Sequence, residues 1–230
     1  MNAVLTGIGV VSPAGTDKNE FFRSLKVGMH EPRQVKVTDP KLKISRYLDP
    51  VSKNAIVATR GAMTDAGIDE AQIAAAPYDY GIVLGTTRGP CRTREGLYES
   101  LASRNGRMVS GTLFSHCGYN IAGAMTAIAF GIKGPNITVI DRGDLGRSVL
   151  RRAEQFLVSR RARTIFAGVT ECDPRARLDF AYIVCLQRKD APALNVEPPA
   201  MPLAWGERYR SLFLLGLMSH EHRLEQTAVA

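Results

Sequence analysis

The sequence predicts an α/β layered fold around a mixed five-stranded sheet. Apolar, β-branched runs occupy residues 3–11, 80–86, 137–141, 164–169 and 179–186. Helical patterns fill the gaps between the first four runs, the alternation that builds a sheet with helices packed on it. No helical stretch separates the last two runs, so those strands are expected to pair antiparallel.

Each element has a local reason. Residues 3–11 (AVLTGIGVV) run into Ser12-Pro13-Ala14-Gly15, a buried strand entering a turn. Asp17 is the expected N-cap of a helix reaching Lys26 and stopped by Gly28. Residues 30–50 carry Pro32 and Pro40 with no clean period and read as a loop. Ser52 is the expected cap of a helix with Ala55, Ile56, Thr59, Ala62, Met63 and Ala66 on its apolar positions, closed by Gly67. A helix over 93–103 follows the second strand, and the Gly- and Ser-rich residues 105–118 stay unassigned. Residues 120–132 are small and apolar, as in a tightly packed helix, and Gly134-Pro135 ends them. Residues 144–159 form an amphipathic helix with Leu145, Val149, Ala153, Phe156 and Leu157 on one face. The division expected is a main domain over 1–190, a Pro-rich linker over 191–206 and a buried C-terminal helix within 207–230.

Composition narrows the function classes. No apolar run approaches the roughly 20 residues that span a bilayer, so no membrane span is expected. The N-terminus lacks the basic region of a secretory signal. The four cysteines, Cys91, Cys117, Cys172 and Cys185, form no CxxC pair, which points away from zinc and disulfides and toward the reducing cytoplasm. The formal charge is +8, which favours an acidic partner. The one basic cluster, Arg147, Arg151, Arg152, Arg160, Arg161 and Arg163, has no interleaved aromatics to stack bases, so nucleic acid is not the expected partner.

The residues themselves spell out no active site. Gly7-Ile8-Gly9 follows a strand, but the third glycine of a dinucleotide fingerprint is replaced by Ser12. Cys117 neighbours His116, yet adjacent residues on an extended segment face opposite ways. His30, His116, His220 and His222 lack metal-ligand spacing, and no cofactor is expected. Asp141 and Asp144 flank a turn.

Four segments, in order, resemble the β-ketoacyl synthases. Val4 to Gly15 resembles V-x-T-G-x-G-x-x-S-P-x-G, the opening strand and loop of that family. Asn120 to Pro135 matches in length and in its closing Gly-x-x-Gly-Pro, and Gly134 to Val139 resembles the strand leading to the family's nucleophile. Ala167-Gly168-Val169-Thr170-Glu171 resembles A-G-G-x-E. The resemblance covers about residues 3–188 and implies the N-terminal half of a thiolase-like fold, followed here by the tail helix.

Two departures matter. Where the family reads T-A-C-A-S-G, this chain has Asp141-Arg142-Gly143-Asp144-Leu145-Gly146, so Gly143 stands at the nucleophile position. Aspartates here also put negative charge where an oxyanion would form. The family's two histidines and its N-S-F-G-F-G-G loop do not occur, and a short tail stands in place of a second half-fold.

The resemblance therefore implies a chain-length factor (ketosynthase β subunit) that heterodimerises with an active ketosynthase in a bacterial type II polyketide or aryl polyene system. It places Asn120, Ile137, Thr138, Val139, Ile140 and Asp141 at the partner interface. It sends the loop bearing Leu113, Phe114, Ser115 and Cys117 into the partner's substrate tunnel, where bulk limits chain length; packing of Phe114 in this chain's own core is the alternative. Arg147, Arg151 and Arg152 are the expected docking site for an acyl carrier protein, against a plain solvated face. A stand-alone module binding acyl chains or carrier proteins, and an enzyme using Cys117 or His116, are the other functional readings.

Overall fold

The computed structural model describes residues 3–13, 15–27, 35–103, 110–141, 144–173 and 178–188. The expected linker and tail helix beyond residue 190, together with His30, His220 and His222, lie outside them. A mixed five-stranded sheet carries helices on both faces, as the sequence pattern predicts. Its strands are β1 (Ala3–Val11), β2 (Tyr80–Gly85), β3 (Asn136–Val139), β4 (Thr164–Asp173) and β5 (Leu178–Arg188). Their order in space is β1-β5-β4-β2-β3. β2, β3 and β4 run parallel, while β5 is antiparallel to β4 and β1 on either side of it.

Alternation along the strands divides the core in two. One layer takes Leu5, Val10, Ile165, Val169 and Val184 against α1 (Lys18–Val27) and α7 (Leu145–Val158). The other takes Ile82, Leu84, Phe166, Ile183 and Cys185 against α2 (Pro50–Asp65), α3 (Glu70–Ala75) and α6 (Ile121–Phe130). Gly7 and Gly9 explain the tight fit of α2 on β1. A side chain at Gly9 would overlap the Ala58 carbonyl, and one at Gly7 the Ala62 carbonyl. The two glycines serve helix–strand packing. β1 shifts register between Leu5 and Gly7. Ile8 N–H donates to Asp65 Oδ2 at 2.9 Å, and Lys18 pairs with the same carboxylate.

Several helix boundaries differ from the sequence reading. α2 starts at Pro50, with Asp49 rather than Ser52 as its cap. Asp49 Oδ1 accepts from Val51 N–H at 3.1 Å, and Pro50 sits where no amide is needed. Ser52 is inside the helix and buried. The 30–50 loop contains a 3-10 turn at Pro40–Ile44, capped by Asp39. Asp39 also pairs with Arg60, and Arg60 and Lys41 both reach Glu70. α3 was not foreseen; its capping box joins Asp69 and Gln72. α4 (Cys91–Ser103) begins two positions earlier than expected, and the unassigned stretch holds α5 (Gly111–Ser115).

Candidate functional site

The parallel strands end on one side of the sheet, where α/β folds place their sites. Three segments meet there: the β2–α4 loop, the β3–α7 turn and the end of β4. Thr86 N–H ties the first to the end of β3 by donating to Val139 O at 3.0 Å.

Glu171, at the end of β4, anchors this corner. Its carboxylate is buried and accepts from Thr86 Oγ1 at 3.2 Å, Thr87 Oγ1 at 2.8 Å and Arg88 N–H at 3.3 Å, and also from Thr87 N–H. Burial pushes its pKa up, opposed by these donors. Arg88 is further tied to Asp173 at 3.2 Å. Behind the loop, Asp49 Oδ2 accepts from both Thr93 N–H and Thr93 Oγ1 at 2.9 Å, joining α4 to the start of α2. Cys91 opens α4, but its thiol donates to Cys172 O at 3.1 Å and burial pushes its pKa up, the opposite of an activated nucleophile. Burial and the neighbouring Asp179 push Cys172 up strongly, and burial pushes Cys185 up to about 12. All three are core thiols.

Gly143 and Arg142 lie outside the described residues, but both flanks of that turn are placed. Asp144 caps α7: its Oδ1 accepts from Arg147 N–H at 3.0 Å and its Oδ2 pairs with Arg147 Nε at 2.9 Å. Asp141 Oδ2 accepts from Ser148 Oγ at 2.7 Å. The positive end of α7 thus faces the chain's own carboxylates. A second anion developing there would meet repulsion and compete for the same N–H groups.

The segment before α6 touches both α4 and the chain around Ser45 and Tyr47. Ser110 Oγ caps α5 by accepting from Leu113 N–H at 3.3 Å. His116 is its C-cap, so the segment is turned rather than extended. The expected reason for His116 and Cys117 to part therefore does not apply; each has its own partners. His116 Nδ1 lies 2.8 Å from Thr112 O, its Nε2 lies 3.3 Å from Ser45 Oγ, and its ring packs near Tyr47. The Cys117 thiol donates to Phe114 O at 2.9 Å. Phe114 is 67% exposed and stands outside the core that the described residues form. Leu113 and Cys117 are half-buried and Ser115 is exposed.

Among the described residues β3 is an edge strand, bonded to β2 on one side. Ile137, Thr138, Val139 and Asp141 are half-buried, and Ile140 is 55% exposed. Exposed Asn120 begins α6 without a side-chain cap. α6 leans on β3 through Asn136 Nδ2, which donates to Gly123 O at 3.1 Å, and leaves Ile128 67% exposed. Arg147, Arg151 and Arg152 are exposed on α7. The sequence reading did not single out Asp49 or Cys91; the Asp-Pro pair ahead of α2 is the signal that marks Asp49 as a cap. Among the described residues, no cluster of His, Cys, Asp or Glu is arranged to hold a metal, and no helix is long and apolar enough to cross a membrane.

The sheet order and the helices packed on both of its faces are those of a ketosynthase-like fold. Residues 37–193 match the family model described as beta-ketoacyl synthase, N-terminal domain, and the chain belongs to that family. It is 26% identical over 235 positions to 3-oxoacyl-(acyl-carrier-protein) synthase 2 of Coxiella burnetii, covering 93% of this chain and 55% of that protein. It is 25% identical over 254 positions to the tetracenomycin polyketide synthase ketoacyl synthase alpha subunit of Streptomyces glaucescens, covering 99% and 58%. The chain thus spans little more than half the length of these relatives. Among solved structures, the ishigamide ketosynthase/chain length factor superposes with a TM-score of 0.68 at 21% identity, over 86% of this chain and 64% of that one. A type II polyketide synthase acyl-carrier protein in complex with its ketosynthase superposes at 0.67 and 14% identity, over 82% and 63%. These likenesses show the same fold.

Proposed function

We propose that this chain is a non-catalytic chain-length factor that pairs with an active ketosynthase in type II polyketide biosynthesis. The observation that carries the reading is the nucleophile turn. Gly143 offers no side chain to acylate, and Asp141 and Asp144 bracket it, with Asp144 capping the helix that would stabilise an oxyanion. The open edge of β3 with Ile137, Thr138 and Val139, the following Ile140 and Asp141, and Asn120 at the start of α6 form the proposed seat of the partner, which would add strands and cover Ile128 and Ile140. Leu113, Phe114, Ser115 and Cys117 are the proposed tunnel segment. The exposed ring of Phe114 gives them a bulky end to set the space left for a growing chain. An acyl carrier protein is the proposed second partner.

Co-expression with the ketosynthase of the same gene cluster, followed by affinity purification and mass determination, tests the pairing. A stable one-to-one complex is expected, and Phe114→Ala within it lengthens the product. A monomer that ignores the ketosynthase sinks the reading and leaves a stand-alone module for acyl chains or carrier proteins.

A further inference from the structure

α5 is five residues long, too short to hold its own place by intrahelical bonds. Beyond its packing on α4, it is held through His116. His116 Nδ1 lies 2.8 Å from Thr112 O and 3.1 Å from Ser115 Oγ. A carbonyl only accepts, so Nδ1 carries the proton and donates to Thr112 O. In the neutral ring Nε2 is then an acceptor, and the Ser45 hydroxyl, 3.3 Å away, donates to it. Ser45 Oγ in turn accepts from Tyr47 N–H at 3.1 Å. A continuous chain of hydrogen bonds thus runs from the backbone at Tyr47, through Ser45 and His116, to the backbone of α5. The Tyr47 ring, 6.1 Å from that of His116 and inclined at 55°, adds an apolar side to the contact.

The other end of this chain of bonds is anchored. Ser45 ends the 3-10 turn Pro40–Ile44, and Asp39 at the start of that turn pairs with Arg60 of α2. Arg60 reaches Glu70 of α3 at 3.1 Å, and Lys41 reaches the same carboxylate at 2.7 Å. The Arg60 guanidinium also stands 5.1 Å from the centre of the Phe130 ring of α6. On the other side, Tyr47 lies two residues ahead of the buried Asp49 that caps α2. The Ser45–Tyr47 stretch is therefore fixed to the core helices at both ends. At α5, the Cys117 N–H and thiol both donate to Phe114 O, at 3.2 and 2.9 Å, so what displaces His116 displaces Phe114 with it.

We propose that His116 is the positioning residue of the Phe114 segment, and that Ser45 and Tyr47 are the fixed surface against which it sets Phe114. The proposal rests on the proposed role of that segment in a partner's tunnel. Under it, the space left for a growing chain depends on this brace as well as on the bulk of Phe114. With the brace intact, the exposed ring holds one position and stops the product at one length. Without it, α5 pivots on α4, the ring gives way under a longer chain and the cut-off blurs. Control of length is then shared between two segments far apart in sequence, Ser45 to Tyr47 and Thr112 to Cys117. His116 acts through Phe114, as the support of a wall and not as the wall itself.

Amide hydrogen exchange on the full chain and product analysis on the co-purified pair test this together. Ser45→Ala removes one bond of the brace, and exchange across Ser110 to Cys117 should speed up roughly fivefold, the weight of one hydrogen bond. Ser45→Thr keeps the hydroxyl and should restore the wild-type rate. In the pair, Ser45→Ala and His116→Ala should each spread the product over several lengths at an unchanged yield of complex, and Ser45→Thr should bring back the single length. A role confined to stability would lower the yield of complex and leave the length distribution alone. Unchanged exchange in Ser45→Ala overturns the proposal, and so does an unchanged length distribution in a pair where Phe114→Ala lengthens the product. If no ketosynthase pairs with the chain, or Phe114→Ala leaves the product as it was, the proposed function falls, while faster exchange in Ser45→Ala still upholds the brace.

Discussion

Glu171 pays a desolvation cost that its hydrogen bonds do not fully offset, and pH reveals it. Its folded pKa is raised above the ordinary 4.5, so its protonated form is favoured by folding. The stability this group contributes is therefore full below pH 4.5 and is lost as pH rises through the folded value. Glu171→Gln removes that titration. Melting temperatures measured from acid to neutral pH should show the difference, wild type minus variant, falling as pH rises; a flat or rising difference contradicts the account of the buried clamp. The thiols give a second residue-level outcome. Cys91, Cys172 and Cys185 are buried with raised pKa values, whereas Cys117 is half-buried on the surface segment. Brief alkylation of the folded chain followed by peptide mass spectrometry should find Cys117 modified first. Gly9 offers a third. Gly9→Ala drives a methyl into the Ala58 carbonyl and should cost at least about 2 kcal/mol in denaturant unfolding.

The caps of α7 are its most exposed dependence at the level of elements. Asp144→Ala should remove about 1 kcal/mol by losing the N-cap, and Arg160→Gly should add up to about 1 kcal/mol by relieving the left-handed turn, both read from chemical denaturation. Strands were legible in the sequence because five apolar runs had no competing period, and the antiparallel β4–β5 pair followed from the missing helix between them. Short helices were not. α3 and α5 have six and five residues, too few to display a period, and each depends on a cap, Asp69 or Ser110, that also occurs in ordinary loops. Ser52 and Asp49 were both acceptable caps on paper. Pro50 decides between them, since it fits the first helical position and extends α2 back to Asp49. At the candidate site, the glycine at 143 and its flanking aspartates could be read directly. The exposure of Phe114 and the commitment of Arg147 to Asp144 could not, because both depend on where α5 and the α7 turn sit in space.

At the scale of the whole molecule, β1 and β3 are the two outer strands of the sheet among the described residues, and the β3 side is the open side proposed for the partner. Exposed Ile128 and Ile140 sit on or beside that open side, Phe114 stands out from the α5 segment, and α7 packs in the other core layer. The proposed role gives the β3 side to a ketosynthase and leaves the turn around Gly143 chemically silent. That silence is the central claim, and intact-protein mass spectrometry of the co-purified pair tests it most directly. After incubation with an activated acyl thioester, the account expects one acyl adduct on the ketosynthase chain and none on this chain. An acyl adduct on this chain, at any residue, would contradict it.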